Sequence, residues 1–446
     1  MALVAKSRVS CQWFSQLAQA LDPRSAPRLA ALFLGAVVAR GLRTVTSWIR
    51  AARLSEDFRR CYWTVAAAGK RCDSVATHLV CDVVNPMLDG DKRVTLALDD
   101  TPTERVGPCV EGRGIHHNPT PGPAGSAFVS GHVWVVLAAL VPHSLWGTIA
   151  LPLLARLYVR KIDLAGIVKA HRPKFQTKLE LAVALVRWAL VWLNRAGKPL
   201  WIVVDGAYAM RPFLKPVLAL GVTVVSRLRR DAALFTLPEP RGKKQRGRPR
   251  IKGRQRIDLA KRAGAKKGWQ TATVSLYGQP TAKTFKTFLA YWGPVGGLIR
   301  IVLVKEDNGA WRAYFCTDTT ASVTDILETV ADRFAIEIAF RDLKEIVGAG
   351  QQQTRFHFAN VGGFHLCLWT FTMTEAWAWN RSETEMTSHR KASSPWDDQP
   401  RRPSHADKRN AFRRELLREE IQAVLHTNPS PIKIQQLAER LVNLAA

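Results

Sequence analysis

Residues 132–159, HVWVVLAALVPHSLWGTIALPLLARLYV, form the most apolar run of the chain. Pro142, His143 and Ser144 divide it into two pieces, each too short to cross a bilayer. The run therefore predicts two buried strands joined by a turn. Another apolar stretch, RLAALFLGAVVARG, lies far from the N-terminus, lacks a small-residue cleavage site and is flanked by arginines; a buried helix is expected there.

The neighbours of the apolar pair extend this pattern. In KRVTLALDDTPT, Val94, Leu96 and Leu98 alternate with smaller or polar residues and run into Asp99 and Asp100, so a strand delivers carboxylates to its C-terminal end. FQTKLELAVALVRWALVWLN reads as a long helix. PLWIVVDGAYA reads as an apolar strand ending in Asp205, with a glycine that permits a sharp turn. A short helix (MRPFLKPVLAL) and a strand (VTVVSRL) follow. Three strands, a helix, a strand, a helix and a strand make a mixed sheet flanked by helices, an α/β core. Its acids sit at strand ends, where open α/β sheets place their active sites.

The chain of 446 residues is long enough for two to four domains. Residues 1–90 read as helical, with Thr46 as a helix cap and a basic face suited either to a DNA-end-binding domain or to a solvated helix pair. Residues 91–230 hold the first part of the core. In 231–322, TATVSLYG, TAKTFKTFLAYWG, LIRIVLVKE and WRAYFCTD have strand composition, so an inserted β-region with a basic loop is expected. Residues 323–380 complete the core, and FANVGGFHLCLWTFTMTEAWAW within them predicts a buried helix containing Trp369, Trp377 and Trp379. Residues 381–446 read as a polar linker followed by small appended helices.

Charge narrows the partner. The 65 Lys and Arg against 36 Asp and Glu leave +29, which points to a polyanion and first to nucleic acid, with no membrane partner expected. Seven scattered cysteines without a C-x-x-C pair argue against a zinc ribbon or a secreted disulfide framework, and fit a reducing cytoplasm.

ADRFAIEIAFRDLKEIVG places Arg333, Glu337 and Lys344 on one helical face, within roughly 40° of one another at about 100° per residue. Phe334, Ile338 and Phe340 are expected to bury its other faces. Asp99, Asp205 and Glu337 together would repel unless a cation neutralised them, and an all-oxygen set suits Mg²⁺ or Mn²⁺. Asp100 stands as the alternative to Asp99.

These segments resemble the DDE transposases of bacterial insertion sequences, in the branch whose third segment reads Tyr-x2-Arg-x3-Glu-x6-Lys. Arg333, Glu337 and Lys344 match that spacing, while Val330 replaces the Tyr. LALDDT resembles the first-strand Asp-x-Thr of the family, and WIVVDGAYAMRPFL its second Asp segment; the resemblance covers about residues 90–380. It implies a ribonuclease H-like core with a β-insertion, and DNA strand cleavage and transfer by Asp99, Asp205 and Glu337 with two Mg²⁺ (or Mn²⁺) ions. It also implies a homodimer working on transposon-end and target DNA, in the cytoplasm with the nucleoid. Arg333, Lys344 and Arg341 would contact DNA. RGRPR (Arg246, Arg248 and Arg250) resembles an AT-hook core, and reads equally as a basic loop touching phosphates. A metal-dependent nuclease on the same fold, and a non-catalytic DNA-binding derivative, are the rival readings.

Overall fold

The computed structural model describes residues 9–88, 90, 92–117, 125–239, 250–388, 402–425 and 430–445. The chain opens with α1 (Val9–Ala18), α2 (Ala26–Val38), α3 (Val45–Ala51), α4 (Phe58–Lys70) and α5 (Cys72–Leu79). The cap of α3 is Thr44, whose hydroxyl accepts from Ser47 N at 3.1 Å. Thr46, the expected cap, lies inside the helix and bonds the Tyr62 hydroxyl at 2.8 Å. The extended residue takes the cap because only a non-helical backbone aims its hydroxyl at the free N–H groups of the first turn.

The core strands are β1 (Val94–Glu104), β2 (Gly114–His117), β3 (Phe128–His143), β4 (Gly147–Tyr158), β5 (Leu200–Val204) and β6 (Thr223–Leu228), with α6 (Lys178–Trp192) and α7 (Arg211–Ala219) as crossovers. β3 and β4 are the two expected apolar strands. Their turn is tightened by His143, whose Nδ1 accepts from Leu145 N and Trp146 N, and by Gly147 at a φ of 72°. β1 runs antiparallel to β3 and parallel to β5, and β5 runs parallel to β6. A β1 that turns antiparallel strands on one side into parallel strands on the other makes the ribonuclease H-like mixed sheet that the resemblance implied.

Beyond β6 come β7 (Leu234–Phe235), β8 (Arg256–Ile257), α8 (Leu259–Gly264), β9 (Gln270–Leu276), β10 (Gln279–Trp292), β11 (Gly297–Lys305) and β12 (Trp311–Cys316). All four expected strands of this region form. They continue the core sheet: β12 pairs antiparallel with β6, from Ala313↔Leu228 to Cys316↔Val225, making one twelve-stranded sheet. The open edge of β6 is thereby covered, which removes a template for pairing with other chains.

The chain then forms α9 (Val323–Asp332), α10 (Phe334–Asp342), a π-helical turn at Leu343–Val347, α11 (His357–Ala378), α12 (Glu383–Thr387), α13 (His405–Leu425) and α14 (Pro431–Ala445). α11 is buried almost all round, as its uniformly apolar sequence predicts. Gly69 of α4 and Gly362 of α11 let the two helices cross with backbones touching; a Cβ on either would strike the main chain of the other. The amino-terminal helices therefore share one hydrophobic core with the sheet.

The polar carboxy-terminal region departs from the expected appendage. Phe412 of α13 is fully buried and stacks on Trp377 with centroids 4.8 Å apart, and Arg409 donates to Ala39 O at 2.8 Å. Its charged residues pair with buried partners, and composition alone conceals that. Among the described residues no helix is long and apolar enough to cross a membrane.

Candidate active site

Alternation along β1 sends Asp99 and Asp100 to opposite sides of the strand. Leu98 is in register with Val204, so Asp99 and Asp205 both fall one residue beyond that pair, at the same end of the sheet. Asp205 also caps the short turn after β5, accepting from Ala207 N at 3.2 Å.

The third carboxylate arrives on α10. An ion pair between Arg93 and Asp325, at 2.6 Å, fixes α9 to the start of β1, and the Arg93 guanidinium lies 4.2 Å from the Trp201 ring. The chain then passes through Arg333 into α10, one turn before Glu337. Arg333 donates to Asp99 Oδ2 and to Glu337 Oε1, each at 2.6 Å. It is the link that brings Glu337 to the Asp99 side. Asp100 instead accepts from Lys178 Nζ at 2.6 Å and from the Tyr208 hydroxyl at 3.1 Å.

Burial pushes the Asp99 carboxyl up to about 7; Arg333 and the Asp100 N–H oppose this, while the charges of Asp100 and Asp205 add to it. Tyr208 is raised well above the usual tyrosine range by burial and then by Asp100, so it keeps its proton and donates. Four carboxylates thus gather around two cations, Arg333 and Lys178.

Does a metal suit these residues? As the side chains stand, no three Asp, Glu, His or Cys groups among the described residues are close enough to share an ion. Arg333 stands between Asp99 and Glu337 and shows that a cation fits there. The donors are all oxygen, and two negative charges remain uncompensated. The donor set fits a hard divalent ion.

The remaining expected residues fall in different places. Lys344 lies in the π-helical turn, half-buried, where desolvation lowers its pKa and the charges that raise it are Glu345 and Glu104. The helix widens there, so the even face projected from Arg333 to Lys344 is not kept. Arg341 is exposed and holds its neighbour Asp342 at 3.0 Å. Contrary to expectation Phe334 is 45% exposed and Ile338 only half-buried, while Ile336, Ala339 and Phe340 are the buried residues of α10. Arg250 is exposed; Arg246 and Arg248 lie outside the described residues.

Sequence reasoning missed Lys178 and Tyr208, although Tyr208 follows Asp205 by three residues within VVDGAYA. It also missed Tyr277, which sits at the β9–β10 turn with a φ of 54° and sets its ring edge-on to Phe334 at 5.7 Å. A Tyr-Gly pair between two alternating runs was the available signal.

Asp99 lies midway along β1, which continues to Glu104 and does not end at the acids as expected; with Asp205 just past β5 and Glu337 on α10 it makes the kind of acid group that a nuclease on a mixed sheet would use. Residues 16–282 match the family described as DDE superfamily endonuclease. That is more than half of the chain, and the protein belongs to this family. The match spans Asp99 and Asp205 and ends before Glu337. Endonucleases of this family act with divalent metal ions. No curated protein sequence matches the chain. Among solved structures, a piggyBac transposase synaptic complex with hairpin DNA is similar at 10% identity, covering 97% of this chain and 81% of that chain, with a TM-score of 0.44. At that identity and score the likeness assigns no residue and no partner.

Proposed function

We propose that this endonuclease is a transposase of the bacterial insertion-sequence type, cutting DNA at element ends and joining the cut ends to target DNA. The observation that carries the reading is the Arg333 bridge, which links Asp99 of β1 to Glu337 of α10. Asp99, Asp205 and Glu337 would hold the divalent ions, Mg²⁺ or Mn²⁺ and two in number. Bound there, the ions activate the attacking oxygen and stabilise the departing one.

The residues of the chain supply the rest. Asp100 is held by Lys178 and Tyr208 on the other side of β1, which leaves Asp99 as the acid on the side of Glu337. Arg333 already faces the acids, and its guanidinium is the group beside them that would hold a DNA phosphate. Lys344 and Arg341 add positive charge along the same segment, and Arg250 lies in the basic loop of the insertion. Two copies acting on paired ends would complete the assembly.

Asp205→Asn and Glu337→Gln should each reduce Mg²⁺-dependent cleavage of end DNA at least about a thousandfold, the order expected when a charge-stabilising catalytic group is lost. Binding should remain, because basic residues make the phosphate contacts. Near-normal cleavage by either variant would remove that residue from the site. Joining of pre-cut 3′ ends separates a transposase from a nuclease that only cuts.

A further inference from the structure

β4 leaves the sheet at Tyr158, which is in register with Val133 and through it with Pro102 of β1, three residues past Asp99. The chain returns to α6 across this same end of the sheet. Residues 168–177, VKAHRPKFQT, are all exposed, and the last six have no helical or strand structure. Between Asp163 and Glu180 the sequence has no acid, while it has Lys169, Arg172, Lys174 and Lys178. Lys178, just past the segment, is the residue that pairs with Asp100.

The segment is anchored at both its start and its end. Val168 N donates to the buried Glu111 carboxylate at 3.3 Å. The same carboxylate accepts from His357 N at 2.6 Å, so the start of α11 is pinned to it too. Arg172 donates to Ile167 O at 3.0 Å, and His171 packs edge-on against Phe358 with centroids 5.1 Å apart. Thr177 and Glu180 form a capping box that fixes the entry to α6. Exposed Arg355 and Phe356 stand next to this anchor. Lys169 and Lys174 make no ion pair among the described residues. A solvated linker has no need of such fastening, and Val168 and Phe175, 49% and 42% exposed, bury little. A row of cations on a backbone held at both ends, beside acidic groups, matches the backbone of a polyanion.

We propose that residues 168–177, together with Arg355, form a preset track that holds the phosphate backbone of duplex DNA and leads it to the Asp99–Asp205–Glu337 site. This rests on the transposase reading and adds to it the surface on which the duplex lies. The contacts are to phosphates, so they act on any sequence.

The experiment measures binding of fluorescent end DNA to the full chain carrying Asp205→Asn, by anisotropy from about 50 to 200 mM salt. Lys169→Ala, Lys174→Ala and Arg355→Ala together should weaken binding at least tenfold. They should make the log–log salt slope shallower by about 2.7, at about 0.9 for each phosphate that is no longer neutralised. The charge-keeping set Lys169→Arg, Lys174→Arg and Arg355→Lys should retain the parent slope, which separates an effect of charge from an effect of folding. A parent slope in the alanine variant overturns the track, as does an equal loss in the charge-keeping set. A parent protein that binds no DNA overturns the transposase reading and the track with it.

Discussion

At the end of the sheet Arg333 joins Asp99 to Glu337, and between α11 and α13 His405 and Lys408 hold Glu375. Every one of these contacts is 2.6 Å long. Surroundings separate the two clusters. Side chains of the second are 2–5% exposed, and Lys408 and His405 also pack on the Trp146 and Phe371 rings. Side chains of the first are 18–42% exposed and share their space with further carboxylates. Glu375 is pulled down to about 2 by Lys408 and His405 against the effect of burial, whereas Asp99 is pushed up to about 7, first by burial and then by the charges of Asp100 and Asp205, which Arg333 only partly offsets. In the buried cluster both carboxylate oxygens of Glu375 are paired and solvent is shut out, although His405 Nε2 has no hydrogen-bond partner among the described residues. The rim cluster holds more carboxylates than cations and is more open, as the proposed metal and phosphate site requires. Equal contact lengths therefore say nothing about role; exposure and charge balance do.

The largest test of this contrast removes the buried cation. Lys408→Ala should destabilise the protein by about 3–5 kcal/mol, because it strands a buried carboxylate. Thermal or urea unfolding measures it, and a loss below about 1 kcal/mol would place Glu375 in a wetter setting than the structure shows. Acid should act on the same cluster. The folded pKa of Glu375 is depressed, so its contribution is complete above about 4.5 and is lost as pH falls through about 2. Urea midpoints measured across that window should fall, and Glu375→Gln should flatten this part of the profile. The smallest effect on stability belongs to the rim. Arg333→Ala should change unfolding free energy by less than about 1 kcal/mol, since the pair is partly solvated. The same variant should bind Mn²⁺ more tightly without DNA, severalfold by calorimetry, because a competing cation is gone, yet cleave DNA more slowly. Weaker Mn²⁺ binding would mean that Arg333 organises the acids and does not compete for them.

Much of the sheet was legible because strands announce themselves locally. The apolar runs of β3, β4 and β5 and the alternation of β9 to β12 are properties of neighbouring residues. The acids of the candidate site stand out in the sequence for the same reason: Asp99 and Asp205 end apolar runs, and Glu337 follows Arg333 by one helical turn. Lys178 and Tyr208 were not, since their importance comes from meeting Asp100 across the fold. The polar sequence of α13 pointed away from the core because composition counts charges without seeing that Lys408 meets Glu375.

By itself, then, the sequence determined which segments become strands and helices, that acids follow two apolar runs, and that the chain is strongly basic. Periodicity and composition act over a few residues and need no partner. The tertiary structure alone decided that β12 seals the edge of β6, that Asp99 faces Arg333 while Asp100 faces Lys178, and that a basic segment lies fastened beside the acids. Each of these depends on residues far apart in the chain meeting one another, and they meet only once the backbone has closed around its core.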